Sequence, residues 1–303
     1  MIQSFTVINE TGEFLVLELR SPEKSGFFVR KIDGLGPVKS IINTSESLYG
    51  DGGVFNSSRL AQRNIILDLG FYNDGQETME EIRNKSYRFF PMKRPLTFVV
   101  TTDTRVGIAT GFVETNDPDI FSKEESAQIS LLCPDPFFYG NDIIETTFSG
   151  ITNNFEFPFE NPSLTEKLIE FGLVFINTNA NVFYSGDSPT GVIFYINFLG
   201  SVNDLTIIDY NSGESMPISS DKLITLTGSD FVIGDQVIIS TIKGNKFIIL
   251  IRGGNVINIL NTIDINATWF TIDKGDNVFT YTADSGLSNV QFRVEHRVVY
   301  EGV

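Results

Sequence analysis

From Phe14 to Leu19 the apolar residues alternate, with Leu15, Leu17 and Leu19 on one side and Phe14, Val16 and Glu18 on the other. A period of two marks a half-buried β-strand. The same alternation returns at Arg63–Leu69, where Arg63, Ile65, Leu67 and Leu69 share a face, and at Leu96–Thr101, Val106–Val113 and Ala127–Cys133. One stretch keeps a different rhythm: Met79, Ile82 and Phe89 follow steps of three and seven, which predicts one apolar stripe of a helix over Thr78–Phe90. Thr78-Met79-Glu80-Glu81 reads as a capping box, in which the Thr78 hydroxyl and the Glu81 carboxylate satisfy backbone N–H groups left open at the helix start. Glu77, Glu80 and Glu81 lie at the positive end of the dipole, Arg83, Lys85 and Arg88 nearer the negative end, and Pro91 stops the helix.

In Cys133-Pro134-Asp135-Pro136-Phe137-Phe138-Tyr139-Gly140 two prolines cannot donate to a ladder and a glycine follows, so the first sheet ends there. The expected domains are 1–140 and 141–303. Beyond the boundary short apolar segments recur at Phe171–Ile176, Val192–Leu199, Val237–Ile242, Phe247–Ile251 and Val256–Ile263, a spacing that suggests an antiparallel sandwich or jelly roll. Lys243-Gly244-Asn245-Lys246 suits a tight hairpin turn between two of them. Near the end Val290, Phe292, Val294, His296, Val298 and Tyr300 all point one way, so this long strand should be central or should pair across an interface.

Composition agrees with mainly β structure: 27 of the 303 residues are Phe, and Ile, Val and Thr are plentiful. No apolar run approaches the roughly 20 residues of a membrane-spanning helix, and Met1-Ile2-Gln3-Ser4-Phe5 lacks the basic and apolar regions of a signal peptide. Folding in a cytoplasm, without contact with membrane, is therefore expected. A single cysteine, Cys133, argues against a disulfide-stapled secreted scaffold. The net charge of −16 and the lack of any basic cluster disfavour nucleic acid as a partner. Residues 1–140 carry 14 basic and 19 acidic side chains, and residues 141–303 carry 8 and 19, an asymmetry that supports two domains.

Chemistry has few footholds. The single histidine, His296, lies in an apolar strand face, so a catalytic triad is a poorer reading than a core or interface histidine. Cys133 closes an apolar strand and reads as buried and inert. One His and one Cys exclude a zinc or copper site built on several such ligands. Asp117-Pro118-Asp119 and Asp273-Lys274-Gly275-Asp276-Asn277 could offer oxygens to calcium, but neither has EF-hand spacing, and both read better as turns. Gly50-Asp51-Gly52-Gly53 and Gly253-Gly254 do not begin helices, so they read as turns or bulges rather than phosphate cradles. No cofactor is expected.

Three stretches, in order and covering most of the chain, resemble the distal tail (Dit) proteins of long-tailed phages, the siphovirus-type tail component family. The first is Arg63-Asn64-Ile65-Ile66-Leu67-Asp68-Leu69-Gly70-Phe71 with the helix after it; the second is Leu132–Gly140. The third runs through Trp269-Phe270, Gly275-Asp276-Asn277 and Tyr281-Thr282-Ala283 to the long strand and Tyr300-Glu301-Gly302-Val303. Residues between them match in general character, through Asn161-Pro162 and the Gly186–Gly191 turn. The resemblance implies an amino-terminal β-sandwich with one helix that assembles into a sixfold ring, and a galectin-like β-sandwich projecting outward. It also implies a structural virion protein, not an enzyme, whose partners are further copies of itself, the tail tube protein, a tail hub or tail-associated lysin, and a receptor-binding protein. Within that picture Arg63, Ile65, Leu67 and Leu69 mark the candidate ring-interface region.

Two readings from other classes compete. A carbohydrate-binding surface module would fit a sandwich, but the only tryptophan, Trp269, lies in a patterned strand segment and suits a core better than a stacking platform. A polysaccharide hydrolase needs two placed carboxylates, and with 38 acidic residues no pair stands out.

Overall fold

The computed structural model describes residues 1–46, 50–73, 75, 77–122, 124–153, 172–176 and 178–303, and for 149–153 and 172–176 the backbone alone. The chain forms two units, Met1–Asn141 with Val299–Val303, and Asp142–Val298. The last five residues, expected in the second domain, thus belong with the first. Asn161-Pro162 and Phe171 lie outside the described residues.

The amino-terminal unit contains β1 (Ile2–Ile8), β2 (Phe14–Glu18), β3 (Phe27–Asp33), β4 (Ser40–Glu46), β5 (Gly53–Leu60), β6 (Arg63–Phe71), helix α1 (Met79–Phe89), β7 (Pro95–Thr102), β8 (Val106–Asp119), β9 (Ser126–Cys133) and the start of β10 (Phe138–Thr147). One antiparallel sheet runs β2-β1-β7-β8 and a second runs β8-β9-β6-β3. β8 belongs to both: Val106–Phe112 pairs β7, and Phe112–Asp119 pairs β9. The corner falls at Gly111, where a Cβ would stand 2.8 Å from Leu132 O and 2.7 Å from Cys133 Sγ, so only glycine lets the strand pass. Leu15, Leu17, Leu96, Phe98 and Val100 fill the core from the first sheet, and Ile65, Leu67, Leu69, Ile129, Leu131 and Cys133 from the second. Leu19, expected on the inward face, lies past the end of β2 and is exposed.

Helix α1 starts as its sequence demands. Glu81 N donates to Thr78 Oγ1 at 3.3 Å and Thr78 N donates to a Glu81 carboxylate oxygen at 2.7 Å, so both halves of the capping box are made. Those hydrogen bonds hold the Glu81 carboxyl below its ordinary pKa. Ile82 is buried, and Met79 and Phe89 pack on the core from its margin.

The carboxyl-terminal unit continues with β11 (Ser149–Asn153), β12 (Gly172–Ile176), β13 (Asn179–Tyr184), β14 (Ile193–Phe198), β15 (Thr206–Asp209), β16 (Ser215–Pro217), α2 (Ser220–Thr227), β17 (Gln236–Ser240), β18 (Phe247–Arg252), β19 (Asn255–Asn258), β20 (Gly275–Thr282) and β21 (Val290–Tyr300). Its two main sheets, β19-β18-β17-β14-β21 and β13-β20-β15-β16, enclose one core, while β11 and β12 pair as a separate ribbon. Aromatic rings tie the layers: Phe194 meets Phe279 edge to face at 5.3 Å, Phe148 meets Phe292 at 4.8 Å, and Phe198 stacks on Phe231 at 4.2 Å.

Three local expectations change. Residues 256–263 form a strand only to Asn258 and then a short 3-10 turn. Lys243–Lys246 belongs to a wider connection between Ser240 and Phe247, in which Gly244 alone takes a positive φ of 83° and Ser240 Oγ donates to Asn245 O at 2.7 Å. Helix α2 had no visible stripe, because of its apolar residues only Leu223 is buried while Ile224 and Leu226 face outward. By contrast β21 takes the interior place its length demanded, between β14 and β10.

Candidate assembly surface

The four residues Arg63, Ile65, Leu67 and Leu69 are brought together on one face of β6, and that face is completely buried within the amino-terminal unit. β6 itself is paired on both sides, by β3 and β9, so it presents no open edge. These side chains therefore build the subunit core and cannot touch a neighbouring copy. The alternation that singled them out reports burial, and burial by the protein's own second sheet produces the same pattern as burial by a partner.

Arg63 holds this interior together. Its Nε donates to Pro136 O at 2.9 Å, Nη1 to Gly34 O at 2.5 Å and Gly36 O at 2.8 Å, and Nη2 to Pro136 O at 2.6 Å and Glu301 O at 2.7 Å. All five N–H donors of the guanidinium are thereby used on carbonyls, and the Phe138 ring lies 4.2 Å from its central carbon. Burial lowers its pKa, opposed by Cys133 and Asp135. The arrangement joins the 34–36 loop, the Pro-rich segment and the chain end. Arg105 adds a second clasp, donating to Gly302 O at 3.2 Å with its guanidinium 4.6 Å from the Tyr300 ring. Val303 N donates to Leu35 O at 3.0 Å, and the Val303 side chain fills the space where a Cβ on Gly107 would stand.

The candidate chemistry resolves into structure. His296 is buried; the Tyr184 ring meets it edge to face at 5.7 Å, and neither ring nitrogen has a hydrogen-bond partner among the described residues. Burial lowers its pKa. Cys133 is buried and free, and burial raises its thiol to about 11, far from a reactive thiolate. In the 273–277 turn Asn277 does the ligating: its Nδ2 donates to Asp273 O at 2.8 Å and Gly275 O at 3.2 Å, and its Oδ1 accepts from Asp273 N at 2.9 Å. That internal lock fixes the Gly275-Asp276-Asn277 turn through the Asn277 side chain. No group of three or more His, Cys, Asp or Glu is placed to hold a metal among the described residues. Trp269 packs against the core from its edge, with Lys246 Nζ 5.3 Å from the ring.

The surface that stands apart is the β4–β5 hairpin, which sequence periodicity did not single out. Every residue of both strands is exposed, and the pair forms a sheet of its own. Its base is closed by Ala61 N donating to Lys39 O at 2.9 Å, and its tip carries the Gly50–Gly53 turn, with Gly52 at φ +89°. A glycine-rich turn after the β-branched run Ile41-Ile42-Asn43-Thr44 was the available signal.

Residues 185–297 match the family model of the siphovirus-type tail component, C-terminal domain. Among solved structures, the Dit protein (gp 19.1) of phage SPP1, described as a paradigm of the hub adsorption apparatus in phages infecting Gram-positive hosts, aligns with a TM-score of 0.66 and 13% identity, over 97% of this chain and 98% of that one. Chains of the phage P2 baseplate in its activated conformation align at 0.48 with calcium, with 12% identity and 98% of both chains covered, and at 0.47 with strontium, with 12% identity and 97% of both covered. No curated protein matches the sequence.

Proposed function

We propose that this chain, which carries a siphovirus-type tail component C-terminal domain and shares the fold of a phage distal tail protein, is the subunit of a closed ring, sixfold in symmetry, at the tip of a phage tail. The supporting observation is the extent of the likeness. The family match falls within the carboxyl-terminal unit, while the shared fold runs through both units over 97% of the chain. The role is structural: the ring joins the tail tube protein to the hub or tail-associated lysin, and the outer, galectin-like unit faces a receptor-binding protein. The amino-terminal half is the ring-forming part, because it carries the smaller net charge and packing like copies around an axis sums their repulsion. Catalysis is not needed for this work.

Electron microscopy of the purified full-length protein, alone and mixed with tail tube protein, tests the reading. The expected result is sixfold annuli that stack end-on against tube segments. Isolated single subunits in both preparations would overturn it.

A further inference from the structure

We infer that the β4–β5 hairpin is an assembly arm whose partner is a second copy of this chain, an inference that rests on the ring proposed above. The register places Ile42, Phe55 and Leu60 on one face with Ser40, Thr44, Glu46 and Ser58, and Asn56 is the bulged residue that keeps Phe55 there. Ile42 and Phe55 are 61% and 62% exposed, and Leu60 also stands in solvent. Among the described residues no layer of this chain lies beneath that face, and both outer edges of the hairpin are open, since β4 and β5 pair only with each other there. A lone two-stranded hairpin is at best marginally stable in water, and open edges invite another strand. The internal ties of this one, Asn43 Nδ2 to Ser57 Oγ at 3.0 Å and Ser45 Oγ to Asn56 Oδ1 at 3.3 Å, lie in solvent and add little.

Three features point to another copy as the occupant. The hairpin has two open edges, so each arm can engage a neighbour on either side; a head-to-tail contact of that kind closes into a ring. Its charge is sparse: across 40–60 only Glu46, Asp51 and Arg59 are charged, in a chain of net charge −16, so identical copies meet here with the least repulsion. The remaining open edge strands of the amino-terminal unit are guarded. β2 is only five residues long, and β3 carries a register shift between Val29 and Lys31 beside Arg30 and Lys31. Short strands, bulges and cations are the usual devices that prevent edge pairing, and β4–β5, with strands of seven and eight residues, lacks the first and carries a single cation, Arg59.

The test compares full-length wild type with I42S/F55S by light scattering and by hydrogen exchange of residues 40–46 and 53–60, each across a range of concentration. Both substituted side chains are solvent-exposed in the subunit, so circular dichroism and melting of the dilute protein should match wild type. Assembly of the variant should need about tenfold or more higher concentration, the loss expected for removing central apolar anchors. Arm amides of the wild type should become protected only as it assembles. A wild-type ring with unprotected arm amides, or a variant that assembles at wild-type concentration, overturns the arm while leaving the ring intact. A wild-type ring that forms unchanged while the variant alone loses tube protein assigns the arm to a different partner and also overturns it. A wild type that never assembles defeats both readings together. Should the variant misfold, exchange of the wild-type arm decides alone.

Discussion

Two adjacent regions of one unit contrast most sharply. β6 buries Arg63, Ile65, Leu67 and Leu69 completely, whereas the β4–β5 hairpin, ending only three residues before β6 begins, buries nothing. Both are antiparallel and of similar length. The difference lies in what covers them: β6 is interior to a sheet and faced by another, and the hairpin is covered by nothing among the described residues. In β6 the side chains determine stability of the subunit, and in the arm they determine what the subunit meets.

Substitutions in the two regions should therefore separate folding from assembly. The largest effect is expected at Arg63. Arg63→Ala leaves four carbonyls without their donors and a cavity under Phe138, for a loss on the order of 4 kcal/mol in urea unfolding. Arg63→Lys should recover less than half of it, because an ammonium cannot reach carbonyls on opposite sides of a planar fork. Full recovery by lysine would mean that charge, and not the fork, matters. Leu67→Ala should cost about 2–5 kcal/mol, as for other fully buried leucines; a neutral result would place that face outside the core.

Deleting Val299–Val303 should cost about 2–3 kcal/mol, through loss of the Glu301 carbonyl on Arg63, the Val303 N–H bond to Leu35 O and the Tyr300 contact with Arg105. It also means that a fragment ending near residue 140 is a poor stand-in for the amino-terminal unit. An unchanged unfolding midpoint would show that the terminus merely rests there.

His296 sharpens the contrast from the other unit, as a buried group whose ring nitrogens find no hydrogen-bond partner among the described residues. Its folded pKa is depressed, so the unfolded chain binds the proton more tightly and stability falls as pH drops below the ordinary value of 6.5. Melting should be lower at pH 5 than at pH 8, and His296→Phe should flatten that slope, since no other side-chain type ordinarily titrates between pH 5 and 6.5 and this is the only histidine. A slope that survives the substitution would place its origin elsewhere. The smallest effect belongs to the arm: Ile42→Ser should change the stability of the dilute subunit by less than about 0.5 kcal/mol.

The same contrast explains what could be read from the sequence. Alternation identified β2, β6, β7 and β9, and the capping box located α1, because each places a regular face against the protein's own core. Periodicity does not say what provides the burial, so the alternation of Arg63–Leu69 fits a ring contact as well as the subunit interior that this face meets. The arm carries no such signal for the complementary reason: with both faces in solvent, nothing demands alternation of its side chains. Helix α2 was too short, and the return of Val299–Val303 to the first unit depends on contacts hundreds of positions apart in sequence, such as Arg63 with Glu301.

The central claim, that the whole chain is a ring subunit, is tested most directly by its mass in solution. Light scattering coupled to size exclusion should give about 200 kDa, six copies of the 33.8 kDa chain, over a wide range of concentration. A mass that stays at that of one chain throughout the range, even with tail tube protein added, would contradict it.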